Sequence, residues 1–445
     1  MFVKKIFNGD NRTTLMLKNI AGSFLIKGWN CIAQFLLVPI TLNCLTQYEY
    51  GVWLTVNSIL IWIDQFDIGL GNGLRNKLAE ALAKNERERA KSLVSSTFIT
   101  LFFIIIPIVF AFIGVLQTVD CYQFLKVDAT IIPNMKGLLE VLVALMGGTF
   151  IFKFIGNIYL GLQLPAINNL LVVAGQTLSL AVIYILSVNG IHSLFAVAVV
   201  YTASPLVVYL LSYPVTFCKY KFLTPSLWAF DKSELKGLFS LGVTFFFVQI
   251  AGLVIFASSN ILITNLLSPS DVTLYQISYR YFSLLIMVFT LISAPLWSAT
   301  TDAYAKGDVA WIRNVMEKMR RIMFAFAGCL VLMLLASSLF YKIWVGDKIS
   351  ITWTLSALMA VYVAVLIYST CYSNVLFGIG KLRMITCVTV LEAIIYIPLA
   401  ICLSYRWGLY GIVVALILVN LMCAVCNRIQ YSMLMTGKAS GIWNK

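Results

Sequence analysis

Six ionisable side chains fall inside long apolar runs of this chain: Lys27, Asp64, Asp67, Lys153, Arg280 and Glu392. A charge at the centre of a bilayer costs at least about 2.5–3.5 kcal/mol on insertion scales, so it is rarely idle. Three such cations, Lys27, Lys153 and Arg280, suit an anionic cargo. The carboxylates Asp64, Asp67 and Glu392, with Arg75 just beyond them, are candidates for coupling or gating. Each charge also has a second reading. It can snorkel to an interface, or pair only to hold helices together. Glu392 can equally be a carboxylic acid hydrogen-bonded within a helix bundle. Both readings stay open on the sequence.

The elements that must position these groups follow from composition. The chain is 61% hydrophobic and 11% charged, where soluble domains carry about 25% charged residues. The apolar runs are continuous, without a period of two, so they read as membrane-spanning helices. Twelve spans are expected, near 19–40, 50–70, 92–116, 137–160, 166–188, 191–213, 237–266, 275–299, 322–345, 351–377, 384–403 and 410–430. With the amino terminus cytoplasmic, 24 of the 32 Lys and Arg fall on inner segments and 5 on outer ones. That asymmetry supports both termini inside and an even number of spans. It also explains the net charge of +14 without nucleic acid. At about 1.5 Å per residue, Lys27 lies roughly 12 Å into its span, and Asp64 roughly 10 Å from the inner end of its own. Lys153 and Glu392 reach comparable depth, whereas Arg280 enters from the outer side. A polar cluster is therefore expected in the cytoplasmic half of a central cleft, with Lys27 and Asp64 close enough to interact.

An internal repeat organises the spans. LRNKLAEALAKNE from Leu74 aligns with LWSATTDAYAKGD from Leu296 at an offset of 222, and NIYLG from Asn157 with NVLFG from Asn374 at 217. Two offsets this close suggest a duplication of six spans. Six is even, so the halves would share one orientation about an axis along the membrane normal, an arrangement known among transporters. The expected fold is all-α and polytopic. Residues 1–213 form one six-helix bundle, 214–236 a cytoplasmic linker and 237–445 a second six-helix bundle.

Other signals exclude more than they suggest. Gly69, Gly71 and Gly73 alternate, but no strand precedes them; they read as the end of span 2 and a tight turn. Pro39, Pro107, Pro205, Pro295 and Pro398 fall in spans, as kinks or hinges. The ten cysteines behave as small hydrophobes, and no structural disulfide is expected. Cys423 and Cys426 have CxxC spacing without a second pair or a histidine, which argues against metal. The first apolar run is too long for a signal peptide, so no cleavage is expected. No catalytic set or phosphate-cradling loop is visible, so neither an enzyme nor a cofactor is expected.

The stretches KNIAGSFLIKGWNCIAQFLLVPI and YGVWLTVNSILIWIDQFDIGLGNGLRNKLAEALA resemble the Wzx-type polysaccharide flippases, within the larger group of multidrug-and-toxin exporters and lipid II flippases. The resemblance is clearest over residues 18–110, where DIGLGNGLR is its most specific motif. It continues through NVLFGIGKLR (374–383) to the end. It implies a two-bundle, V-shaped fold with a cationic cavity. Such a protein would flip undecaprenyl-diphosphate-linked sugar repeat units across a bacterial inner membrane by alternating access. The partners implied are a lipid-linked oligosaccharide, membrane lipids, H+ or Na+, and the glycan polymerase machinery. Two rivals stand beside it. A drug or cation antiporter of the same fold would want an anionic cavity. A glycan polymerase or ligase would show a large outer loop with catalytic arginines or a histidine, and the longest outer loop here, Gln117–Lys136, is short.

Overall fold

A computed structural model describes residues 11–64, 70–162, 164–235 and 258–444. Within its helices, some side chains lie outside that description, among them those of residues 11–25, Lys27 and Asp64. The described residues form helices and turns, with no strand. Nine helices among them are long and apolar enough to cross a membrane. The protein is a multi-pass membrane protein, as its hydropathy requires. The other expected spans touch residues outside the description. Two of them coincide with α1 (Asn11–Cys44) and α2 (Gln47–Asp64). The described part of the seventh is helical over Ser258–Leu266.

The chain divides into two compact units, Met1–Gln249 and Ile250–Lys445. In the first, α1 and α2 are followed by α3 (Leu70–Ala83), α4 (Arg87–Thr118), α5 (Cys121–Leu125), α6 (Met135–Phe152), α7 (Phe154–Gly161), α8 (Pro165–Val188) and α9 (Leu194–Lys219). Helix α3 is amphipathic. Leu74, Leu78 and Ala81, at helical spacing, pack into one core with Leu93 and Val94 of α4, Phe150 of α6 and Ile158 of α7. Its opposite face carries Lys77, Glu80 and Lys84, with Lys84 Nζ 2.8 Å from Glu80. That ammonium holds the exposed Glu80 carboxyl below its usual range. Gly71 and Gly73 stand in the first turns of α3, where a turn was expected; Gly69 lies outside the described residues. Residues 214–219, expected in the linker, continue α9. Residues 221–235 then lie along α4. There Ser95 Oγ accepts from the Ser226 N–H at 3.0 Å, Ser96 Oγ accepts from the Asp231 N–H at 2.7 Å, and Arg89 meets Glu234 at 2.9 Å.

The second unit runs α10 (Ser258–Leu266), α11 (Pro269–Ala305), α12 (Val309–Val345), α13 (Trp353–Ile379), α14 (Arg383–Trp407) and α15 (Leu409–Met435). Several basic connections of the sequence reading are helical extensions here. Span 8 and the segment after it make one helix, α11, and α12 begins 13 residues before its expected span. A helix can run on past the membrane border, because water satisfies the free backbone groups at its end and solvates its side chains. Pro39, Pro107, Pro205 and Pro398 lie within continuous helices; the side chain of Pro295 is outside the description. Pro205 is used for packing, since a Cβ added at Gly175 of α8 would meet its Cα at 2.9 Å. The α14–α15 pair is tighter still. A Cβ at Gly411 would meet the Leu403 carbonyl oxygen at 2.2 Å, so Gly411→Ala is expected to destabilise the protein by about 1–3 kcal/mol through overpacking, read as a lowered melting temperature in detergent.

The repeat reappears as matched local geometry. Asn85 and Gly307, 222 residues apart, both adopt positive φ, 58° and 73°. After each, the next N–H reaches back to a carbonyl five residues earlier: Glu86 to Ala81 and Asp308 to Ala303, both at 2.9 Å. Gly161 and Gly378 close the two NxxxG matches. A Cβ on Gly161 would meet Leu78, and one on Gly378 would meet Thr300. Leu78 and Thr300 are themselves partners at the offset of 222. The same helix-to-helix contact is thus built twice.

Candidate functional site

The polar interior of the second unit centres on α14. Ile385, Val388, Glu392, Tyr396, Ala400 and Ser404 form its buried stripe, at spacings of three and four. Five of the six are small, apolar or aromatic; Glu392 is the exception and is 3% exposed. Its Oε1 accepts the Cys423 backbone N–H of α15 at 3.1 Å. Among the described residues no Lys, Arg or His lies within ion-pair distance of it. One N–H does not balance a full charge in hydrocarbon. The ionised form of Glu392 therefore needs a cation from outside the described side chains.

Around it the unit is rich in tyrosine. One turn on, the Tyr396 hydroxyl is 2.6 Å from Ser259 Oγ of α10. Tyr275 and Tyr279 of α11 stack at 6.3 Å, and Tyr279 reaches Tyr362 of α13 at 6.1 Å. Tyr362 is fully buried, and its hydroxyl has no hydrogen-bond partner among the described residues. Buried polar atoms are normally paired, and an orphan asks for a reason. Further along α15, Asn427 Nδ2 donates to Ser373 Oγ at 2.9 Å and Gln430 Nε2 donates to the Lys381 carbonyl at 3.0 Å. Only Glu392 of this group is marked by its charge in the sequence. The tyrosines and amides read there as ordinary core and are found only through packing.

The other candidates are distributed. Lys153 sits where the span over Met135–Gly161 is pinched. Its carbonyl accepts the Gly156 N–H at 2.9 Å, an i to i+3 turn that separates α6 from α7. Its ammonium lies 4.6 Å from the centroid of the Phe150 ring, a cation–π contact, and the side chain is half-buried. Arg280 is half-buried on α11, next to Tyr279 and Tyr281. Arg75 is exposed on α3. The side chains of Lys27 and Asp64, and residue Asp67, lie outside the described residues, and with them the expected Lys27–Asp64 proximity. Lys153 and Arg280 fall in different units.

Comparison with known proteins decides the family. The family described as "Polysaccharide biosynthesis protein" matches residues 16–298, well over half the chain. The chain belongs to this family. Its relatives include one from Salmonella typhi named "Putative O-antigen transporter", 20% identical over 412 residues, covering 89% of this chain and 91% of the relative. Another, from Yersinia pseudotuberculosis, is named "Putative O-antigen export protein"; it is 23% identical over 399 residues, covering 86% and 88%. Among solved structures, the inward-facing conformation of a multidrug resistance MATE family transporter of the MOP superfamily shares the fold. It aligns with a TM-score of 0.71 at 16% identity, over 94% of this chain and 95% of its own.

Proposed function

We propose that this protein is a flippase. It moves undecaprenyl-diphosphate-linked oligosaccharide repeat units from the inner to the outer leaflet of a bacterial inner membrane, by alternating access coupled to an ion. The family match, together with relatives named for O-antigen transport over nearly their whole length, carries this reading. Residues 1–213 and 237–445 act as the two rocking bundles, joined through 214–236, with both termini cytoplasmic as the Lys and Arg bias favours. Lys27, Lys153 and Arg280 meet the diphosphate or acidic sugars, while the lipid tail stays in hydrocarbon. Glu392 exchanges H+ or Na+ during the cycle, with Asp64, Asp67 and Arg75 in gating. The likeness in fold to a MATE transporter supports one second reading, a drug or cation antiporter.

Reconstitution separates the two. Proteoliposomes holding a lipid-linked glycan in one leaflet are expected to transfer it faster when a pH or sodium gradient is imposed. Gradient-driven efflux of a cationic dye, with no glycan transfer under any gradient, would overturn the flippase reading in favour of the antiporter.

A further inference from the structure

We propose that the second unit carries a separate lipid site: a groove between α12, α13 and α15 in which Arg320 and Arg428 bind the headgroup phosphate of an acidic phospholipid. Three adjoining cavities make up the groove, of about 350, 660 and 640 Å³. Arg428 lines all three, and Arg320 lines the first and third. Glu392 lines none of them, so the groove is distinct from the buried polar core.

The two arginines come from helices that approach this end of the unit in opposite directions, one near the start of the apolar part of α12 and one near the end of α15. Both are exposed. Arg428 and Tyr368 line the first two cavities together, so a phenol stands beside the guanidinium at the groove. Among the described residues neither arginine has a carboxylate within ion-pair distance. Among the described residues Glu317 is the one acid on the rim, and Arg321 takes it at 3.2 Å. Arg313 stands on the same rim with its guanidinium donating to the Met435 carbonyl. Guanidinium forks without a protein anion, beside a phenol, match phosphate oxygens bidentately.

Beyond the arginines the lining turns apolar: Phe324, Leu330 and Ile367 continue the first cavity along α12 and α13. Phe324 is 78% exposed, so the slot opens sideways, where lipid surrounds the helices. Cations at one end of a laterally open apolar slot fit a phosphate and the acyl chain below it. Basic pockets between membrane helices hold anionic headgroups on this principle. The occupant is an acidic phospholipid of the bilayer itself, since its headgroup brings a net negative charge to two arginines that no described carboxylate neutralises, whereas a zwitterionic headgroup carries its own cation.

The full-length protein in a neutral detergent, incubated with phosphatidylglycerol or phosphatidylcholine and examined by native mass spectrometry, tests this. An arginine near the surface contributes about 1 kcal/mol, roughly fivefold. Arg320→Gln should therefore lower phosphatidylglycerol adducts about fivefold, and Arg320→Gln with Arg428→Gln about 25-fold, by the same constants. Phosphatidylcholine adducts should stay unchanged, as should phosphatidylglycerol adducts of Arg321→Gln. Unchanged phosphatidylglycerol adducts in the single and double variants would overturn the proposal. So would an equal loss of both lipids. A third arm adds undecaprenyl diphosphate. If that lipid binds through the two arginines and phosphatidylglycerol does not, the site belongs to the cargo and the phospholipid assignment is overturned. Wild-type phosphatidylglycerol binding stands independently of whether the protein flips glycans.

Discussion

Glu392→Gln is expected to remove the gradient dependence of flipping while leaving the protein folded. Glutamine keeps an oxygen to accept the Cys423 N–H, and it keeps the volume of the site between α14 and α15. It cannot acquire or release a charge, so no proton or sodium ion can exchange there. In proteoliposomes the variant should transfer lipid-linked glycan at one rate with and without a gradient. A variant that still responds fully to the gradient removes Glu392 from the coupling scheme. Glu392→Ala is the contrasting case. It removes the side chain packed between α14 and α15 and leaves a cavity there, so melting in detergent should drop for alanine and hold for glutamine.

The second large effect is expected from Lys27, Lys153 and Arg280 replaced together by glutamine. Hydrogen bonds to charged groups contribute about 1.5–3 kcal/mol each. Three lost together lower the affinity for a diphosphate by at least about a thousandfold. Translocation should fall below detection while membrane insertion and yield remain. Lys153 gives the internal comparison. Its ammonium lies against the Phe150 ring at a pinched turn, so Lys153→Gln alone also removes a cation–π contact of about 0.5–2 kcal/mol. A single variant that loses stability and a triple variant that transports normally would together assign these cations to structure.

Much of the fold is legible because lipid leaves a chain few options. Long apolar runs must be helices, and the all-α class follows from them; the family resemblance rests on DIGLGNGLR and the stretches around it. The repeat is legible for a sharper reason. The turn at Asn85 and Gly307 needs a residue that takes a left-handed backbone, and the contact at Gly161 and Gly378 needs a residue without a side chain. Such demands leave marks that survive when the rest of the helix drifts. Boundaries are less legible, because hydropathy falls where a helix leaves the membrane and not where it ends. The segment after span 8 therefore reads as a loop, although it is the last turns of α11. At the site, Glu392 shows itself by charge alone. Its surroundings do not, because Tyr362, Tyr396 and Ser259 look like any other buried stripe until helices far apart in sequence are brought together.

Helix α12 has one more consequence. Between Arg321 and Lys342, whose ammonium is 3.7 Å from Asp347, it carries 20 residues without a charge, about 30 Å of helix and the width of a typical hydrocarbon layer. Outward-facing Leu332, Leu335 and Leu339 line that stretch. The charged ends are fixed at both borders, so the helix acts as a gauge of membrane thickness. A thinner membrane would strand leucine in water, and a thicker one would drag an arginine into oil, each at a fraction of a kcal/mol per ångström. The protein is thereby sorted toward bilayers that match its own ruler.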